Sequence, residues 1–86
     1  MRILITGITG FVGSHMADYI LKNTDHEIFG FKRWMEDTKN IDHLIDNPRV
    51  TLYGGDLVDY ASVDRAVRLS KPDKVFHFAA QSFPEV

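Results

Sequence analysis

A chain of 86 residues has room for one small domain, burying roughly 60–65% of the surface that its unfolded form exposes. Its 44% hydrophobic and 26% charged residues suit an ordinary folded domain, and its formal charge of −2 argues against nucleic acid or a membrane surface as partner. No apolar run approaches the roughly 20 residues that span a bilayer, and the absence of cysteine leaves neither disulfides nor thiolate metal sites, which fits a cytoplasmic location.

The chain opens with Met1-Arg2 and the apolar Ile3-Leu4-Ile5, a run too short for a signal-peptide core. Apolar on both faces, Ile3–Ile5 reads as a buried parallel strand. After a glycine-rich stretch, Val12, Met16, Tyr19 and Ile20 fall on one helical face with His15 beside them, and Lys22 and Asn23 suit the helix end. A second strand is predicted over His26–Lys32, with Ile28, Phe29 and Phe31 as its apolar members. Trp34 to Pro48 is more polar, and Ile41, Leu44 and Ile45 suggest a short helix. Val50–Tyr53 is a third strand. Asp59 is a plausible N-cap for a helix carrying Val63, Ala66 and Val67, which Pro72 stops. Val75–Ala80 is a fourth strand, predicted to be buried. Strands alternating with helices predict an α/β fold, with right-handed crossovers and a parallel sheet covered on both faces.

The strongest chemical signal is Thr6-Gly7-Ile8-Thr9-Gly10-Phe11-Val12-Gly13. It follows a strand and opens a helix, the setting in which a glycine motif holds a dinucleotide. Gly7 permits a tight turn, Gly10 lets the backbone approach a pyrophosphate with no Cβ in the way, and Gly13 lets the helix pack close. The first helical N–H groups then face the phosphates. The alternative is three turn glycines in an unrelated α/β protein.

Three further signals follow strand ends. The second strand ends in Lys32-Arg33, where an NAD enzyme would place a carboxylate for the ribose hydroxyls. Arg33 suits a 2′-phosphate, so NADP is favoured over NAD, the alternative being a solvated basic pair. Asp56, after Gly54-Gly55, can accept from an adenine amino group, or can simply make a turn. Ala79-Ala80-Gln81-Ser82 offers small residues for a cofactor to lie against, with Gln81 and Ser82 near the ribose or substrate, or ordinary loop residues. His77 reads as a core residue, His15 as part of the first helix, and His26 and His43 as surface positions. Their spacing suits no metal, and none is expected.

Together, Thr-Gly-x-x-Gly-x-x-Gly, Gly-Asp-Leu at 55–57 and Ala79-Ala80-Gln81-Ser82 resemble the extended short-chain dehydrogenase/reductase family, also known as the NAD-dependent epimerase/dehydratase family. The likeness is strongest to its nucleotide-sugar 4,6-dehydratases. It extends over Glu27–Arg33 and Asn40-Ile41-Asp42-His43-Leu44, and covers essentially the whole chain. The resemblance implies a Rossmann-type sheet of strand order 3-2-1-4. It implies NADP held by Gly7, Thr9, Gly10, Phe11, Val12, Gly13, Arg33, Asp56, Leu57 and the stretch Phe78, Ala79, Ala80, Gln81 and Ser82. The implied substrate is a nucleotide sugar, GDP-mannose, oxidised at C4, dehydrated across C5 and C6, and reduced at C6. A homo-oligomer is implied as well.

The family's dehydratases often carry a further Arg or a small polar residue where this chain has Trp34. The family's catalytic Tyr-x-x-x-Lys pair is missing, since Tyr19, Tyr53 and Tyr60 are followed four positions later by Asn23, Leu57 and Asp64. In the family these groups come after residue 86, so the expectation is an N-terminal cofactor-binding portion of a longer enzyme, with no catalytic residue of its own. In the order 3-2-1-4 the fourth strand would also be an apolar edge in need of cover. A related epimerase, a 4-keto-sugar reductase and a non-catalytic dinucleotide-binding module remain the alternatives.

Overall fold

The computed structural model describes residues 1–33, 37–56 and 59–78. Four parallel strands, β1 (Arg2–Thr6), β2 (Glu27–Arg33), β3 (Val50–Gly55) and β4 (Lys74–His77), form one sheet in the order β3-β2-β1-β4. The expected 3-2-1-4 topology is therefore present. Helix α1 (Phe11–Asn23) and a 3-10 turn (Lys39–Leu44) lie in the crossovers β1–β2 and β2–β3, and helix α2 (Tyr60–Ser70) joins β3 to β4. Among the described residues no helix is long and apolar enough to cross a membrane.

Because the sheet is covered on both sides, β1 and β2 are apolar on both sides. Ile3, Ile5 and Ile28 pack with Ile8, Ala17, Ile20, Ile41 and Leu44 in one layer. Leu4, Phe29 and Phe31 pack with Ala66 in the other. Alternation along the strands sends consecutive side chains to opposite layers.

Helix α1 turns inward only part of the face its large apolar residues suggest: Ile20 is buried and Met16 packs against the core, as expected, but Val12 and Tyr19 do not. Gly13, Ser14, Ala17 and Ile20 are buried, whereas Val12 and Tyr19 are 57% and 63% exposed. Small residues let the helix axis come close to β1, and that proximity leaves no room for a tyrosine or valine beneath it. The same correction applies to Ile45 and Val67, which are exposed although Leu44 and Ala66 beside them are buried. Strand β2 starts and ends one residue later than predicted, and β3 continues to Gly55. β4 differs most. It ends at His77, and Val75 and His77 are exposed, because β4 is an edge strand of the sheet among the described residues. The predicted continuation over Ala79 and Ala80 lies outside the described residues.

The helix ends are closed by different chemistry. Asp59 caps α2, accepting from the Ala61 N–H at 3.1 Å and the Ser62 hydroxyl at 2.9 Å. That helix stops at Ser70, where Lys71 takes a left-handed conformation (φ 44°) ahead of Pro72. At the C-terminal end of α1, Arg49 reaches back from the start of β3. Its guanidinium donates to the carbonyls of Leu21 (3.0 Å), His26 (3.0 Å) and Thr24.

Candidate dinucleotide site

Strand register sets the shape of the site. Thr6, the last residue of β1, pairs with Phe31 of β2 and His77 of β4. β2 continues for two residues beyond that level, and there Arg33 pairs with Gly55. β2 and β3 therefore project about 7 Å past the end of β1. The loop that follows Thr6 sits beside that step, at the carboxyl edge of the sheet where α/β proteins place ligands.

Three glycines build the loop, each for a different reason. Gly7 has φ 73°, a conformation that costs a side-chain-bearing residue energy. Its N–H donates to the Phe31 carbonyl at 3.3 Å, which ties the turn to β2. A Cβ on Gly13 would lie 2.2 Å from the Gly7 carbonyl oxygen, so the helix starts directly against the turn and not merely close to the sheet. A Cβ on Gly10 would meet only the Gly7 oxygen, at an ordinary 3.4 Å, and Gly10 is exposed. Its bareness serves nothing inside the fold; it leaves open the space in front of the helix.

Gly10 is also the N-cap of α1 and brings no capping side chain, nor does the first turn contain an acidic residue. The N–H groups at this end, with the positive end of the helix dipole, are the kind of donors that attract an anion. The contrast with α2 is direct, since Asp59 fills the same role there internally. Phe11 and Val12, the first two residues of α1, are exposed at this opening, and the Phe11 ring meets His15 edge-on at 4.4 Å.

Beneath the loop, Ile8 is fully buried. Its side chain fills the space over Gly30, where a Cβ would come within 2.6 Å of Ile8 Cδ1. Thr9 is buried, and its carbonyl accepts from the Asn40 side-chain amide at 2.9 Å. Nothing in the sequence pattern marked that bond, because its acceptor is backbone 31 residues away.

The remaining expected residues divide into two groups. Arg33 is exposed at the end of β2, and Asp56 follows its pairing partner Gly55, so both stand on the projecting step. Gly55 itself is needed for packing: a Cβ there would lie 2.5 Å from Ser62 Cβ of α2. Phe78 follows β4, donates its N–H to the Thr6 carbonyl at 3.1 Å, and stacks on Phe76 with centroids 6.2 Å apart. Gly7, Thr9, Gly10, Phe11, Val12, Gly13, Arg33, Asp56 and Phe78 thus all lie at one end of the sheet. Leu57, Ala79, Ala80, Gln81 and Ser82 lie outside the described residues. His77, expected in the core, is exposed, with Nδ1 2.7 Å from the Thr6 hydroxyl.

A family model for GDP-mannose 4,6 dehydratase matches residues 4–86. The chain belongs to the GDP-mannose 4,6-dehydratase family. Curated members include enzymes of that name from Vibrio cholerae, 36% identical over 94% of this chain, and Drosophila melanogaster, 37% identical over 96%. The chain spans about a quarter (23%) of the length of each of these two relatives. The solved structure of a dTDP-glucose 4,6-dehydratase from Bacillus anthracis in complex with NAD superposes with a TM-score of 0.85 at 25% identity. That match covers 98% of this chain and 28% of the neighbour's.

Proposed function

We propose that this chain provides the dinucleotide-binding part of a nucleotide-sugar 4,6-dehydratase. The observation that carries the reading is the anion site at the start of α1, uncapped from within and left open by Gly10, beside the step that bears Arg33 and Asp56. The glycine loop and the helix N–H groups of Phe11 and Val12 hold the diphosphate. Asp56, with Leu57, receives the adenine, and Phe78, Ala79, Ala80, Gln81 and Ser82 are assigned as further cofactor contacts. The family likeness and the NAD complex of the Bacillus anthracis neighbour support this assignment.

When bound, the nicotinamide dinucleotide supplies oxidation of the hexose at C4 and its later reduction at C6, between which water leaves across C5 and C6. This chain's residues hold and orient; the acid–base groups lie elsewhere in the enzyme. We assign NADP over NAD because Arg33 places a guanidinium, and no carboxylate, at the end of β2 where the adenosine ribose lies. GDP-mannose is the substrate proposed, in a cytoplasmic enzyme that assembles as a homo-oligomer and engages neither nucleic acid nor membrane.

Titration of the full chain with NADP+ and NAD+ tests the cofactor assignment. The expected result is at least about a tenfold preference for NADP+, most of it lost in Arg33→Ala. Equal affinities in the unaltered protein would remove NADP; binding of neither would remove the dinucleotide reading itself. Turnover of GDP-mannose to a 4-keto-6-deoxy product, with dTDP-glucose as competitor, tests the substrate.

A further inference from the structure

None of the cofactor contacts proposed above comes from the run Asn40-Ile41-Asp42-His43-Leu44. One of its side chains nevertheless touches the glycine loop. Asn40 Nδ2 donates to the Thr9 carbonyl oxygen at 2.9 Å. The N–H of the same peptide unit, that of Gly10, donates to the Gly7 carbonyl oxygen at 3.0 Å. The Thr9–Gly10 peptide is therefore held at both ends, its oxygen by a side chain and its hydrogen by the turn.

That peptide immediately precedes the first turn of α1, and Gly10 is its flexible member. Were it to rotate, the Thr9 oxygen would swing toward the ring of N–H groups that faces the anion site. A carbonyl oxygen there opposes a phosphate, whereas an N–H attracts one. Fixing the oxygen outward is thus a condition for the site to bind an anion.

Asn40 is itself well placed to hold it. Ile41 and Leu44, one and four residues further on, are buried in the core, and the Ile41 N–H donates to the Thr38 carbonyl at 2.8 Å. His43 Nε2 lies 2.7 Å from Asp18 Oδ1 on α1, which joins the 3-10 turn to the helix that the loop opens. The amide therefore projects from an anchored turn and not from a loose loop.

We infer that Asn40 is a positioning residue for the diphosphate of the bound dinucleotide, acting through the orientation of the Thr9–Gly10 peptide. The inference rests on the cofactor reading above and deepens it. It also means that the β2–β3 crossover, which begins at the Arg33 end of the site, returns to support the phosphate end.

The test compares the full chain with Asn40→Ala and the isosteric Asn40→Asp, which replaces the donor with an acceptor. By calorimetry, both variants should bind the preferred dinucleotide about three- to tenfold more weakly, with Asn40→Asp the weaker. ADP, which carries the diphosphate, should lose the same factor, and 2′-AMP, which lacks it, should lose none. In the nucleotide-free protein, amide hydrogen exchange should quicken at Gly10 and Phe11 and stay unchanged at Ile5 in β1. Unaltered dinucleotide affinity would overturn the proposal, as would an equal loss for 2′-AMP or faster exchange throughout β1, which would report general loosening. If the unaltered protein binds no dinucleotide, the cofactor reading falls by itself. The exchange at Gly10 then still decides whether Asn40 fixes the peptide.

Discussion

Gly10 and Gly13 lie three positions apart in one motif, yet the space around them predicts opposite failures. A methyl group on Gly13 would be driven to 2.2 Å from a backbone oxygen that cannot move without breaking the turn. Gly13→Ala should therefore lower stability by about 1–3 kcal/mol or more, seen as a reduced urea midpoint, and lose dinucleotide binding as a consequence. Gly10→Ala meets only ordinary contact inside the protein, and its backbone angles (φ −77°, ψ 173°) suit any residue. Its melting temperature should stay within a few degrees of the parent while dinucleotide affinity falls at least about tenfold, since the methyl group takes the phosphate's space. If Gly10→Ala unfolds the protein and binds normally when folded, the division of roles is wrong. The glycine motif was legible in the sequence because backbone constraints alone fix its spacing. Asn40 was not, because a side chain that recognises a carbonyl leaves no trace in the identity of the residue it recognises.

Elements show where pattern reading holds and where neighbours override it. Strands β1 and β2 were recognisable because burial on both faces demands continuous apolar residues, as Ile3-Leu4-Ile5 and Ile28-Phe29 supply. The inward face of α1 was legible only in Met16 and Ile20, because side-chain size favours Tyr19 and Val12 over Gly13 and Ala17, while proximity to the sheet favours the small residues. The end of α1 was legible at Lys22 and Asn23, where the helix does stop, but the way that end is closed was not. That helix has no glycine at its C-cap, and the extended Thr24 and the distant Arg49 share the work. Arg49→Met keeps the aliphatic stem and removes the donors to Leu21, Thr24 and His26. It should cost about 1–3 kcal/mol in chemical denaturation, with Arg49→Lys recovering only part, since an ammonium lacks the planar fork that spans three carbonyls. No comparable loss should follow at the dinucleotide site, which lies at the opposite end of α1.

At the scale of the whole molecule, the sheet carries a packed layer on each face, and among the described residues β4 forms one of its edges. β4 pairs with β1 alone among the described strands, and Val75 is 52% exposed on it. An apolar, short edge strand with an open neighbour position is a template for pairing with another strand. The 86-residue chain prepared by itself should accordingly self-associate as concentration rises, measured by sedimentation velocity. Val75→Lys should suppress that association without altering the circular dichroism spectrum; persistence of the association would place it elsewhere on the surface. The carboxyl end of the sheet is built differently. There Ile8 projects down from the loop into the vacancy over Gly30, so the loop is seated on β2 as a plug is seated in a socket. Its height above the sheet is then set by the volume of one isoleucine matched to one missing side chain. A sequence that enlarged residue 30 would have to shrink residue 8, or lift the phosphate-binding backbone away from the strand that carries Arg33. These two buried positions, one in the loop and one on β2, thus act as the gauge for the distance between the loop backbone and the strand that carries Arg33.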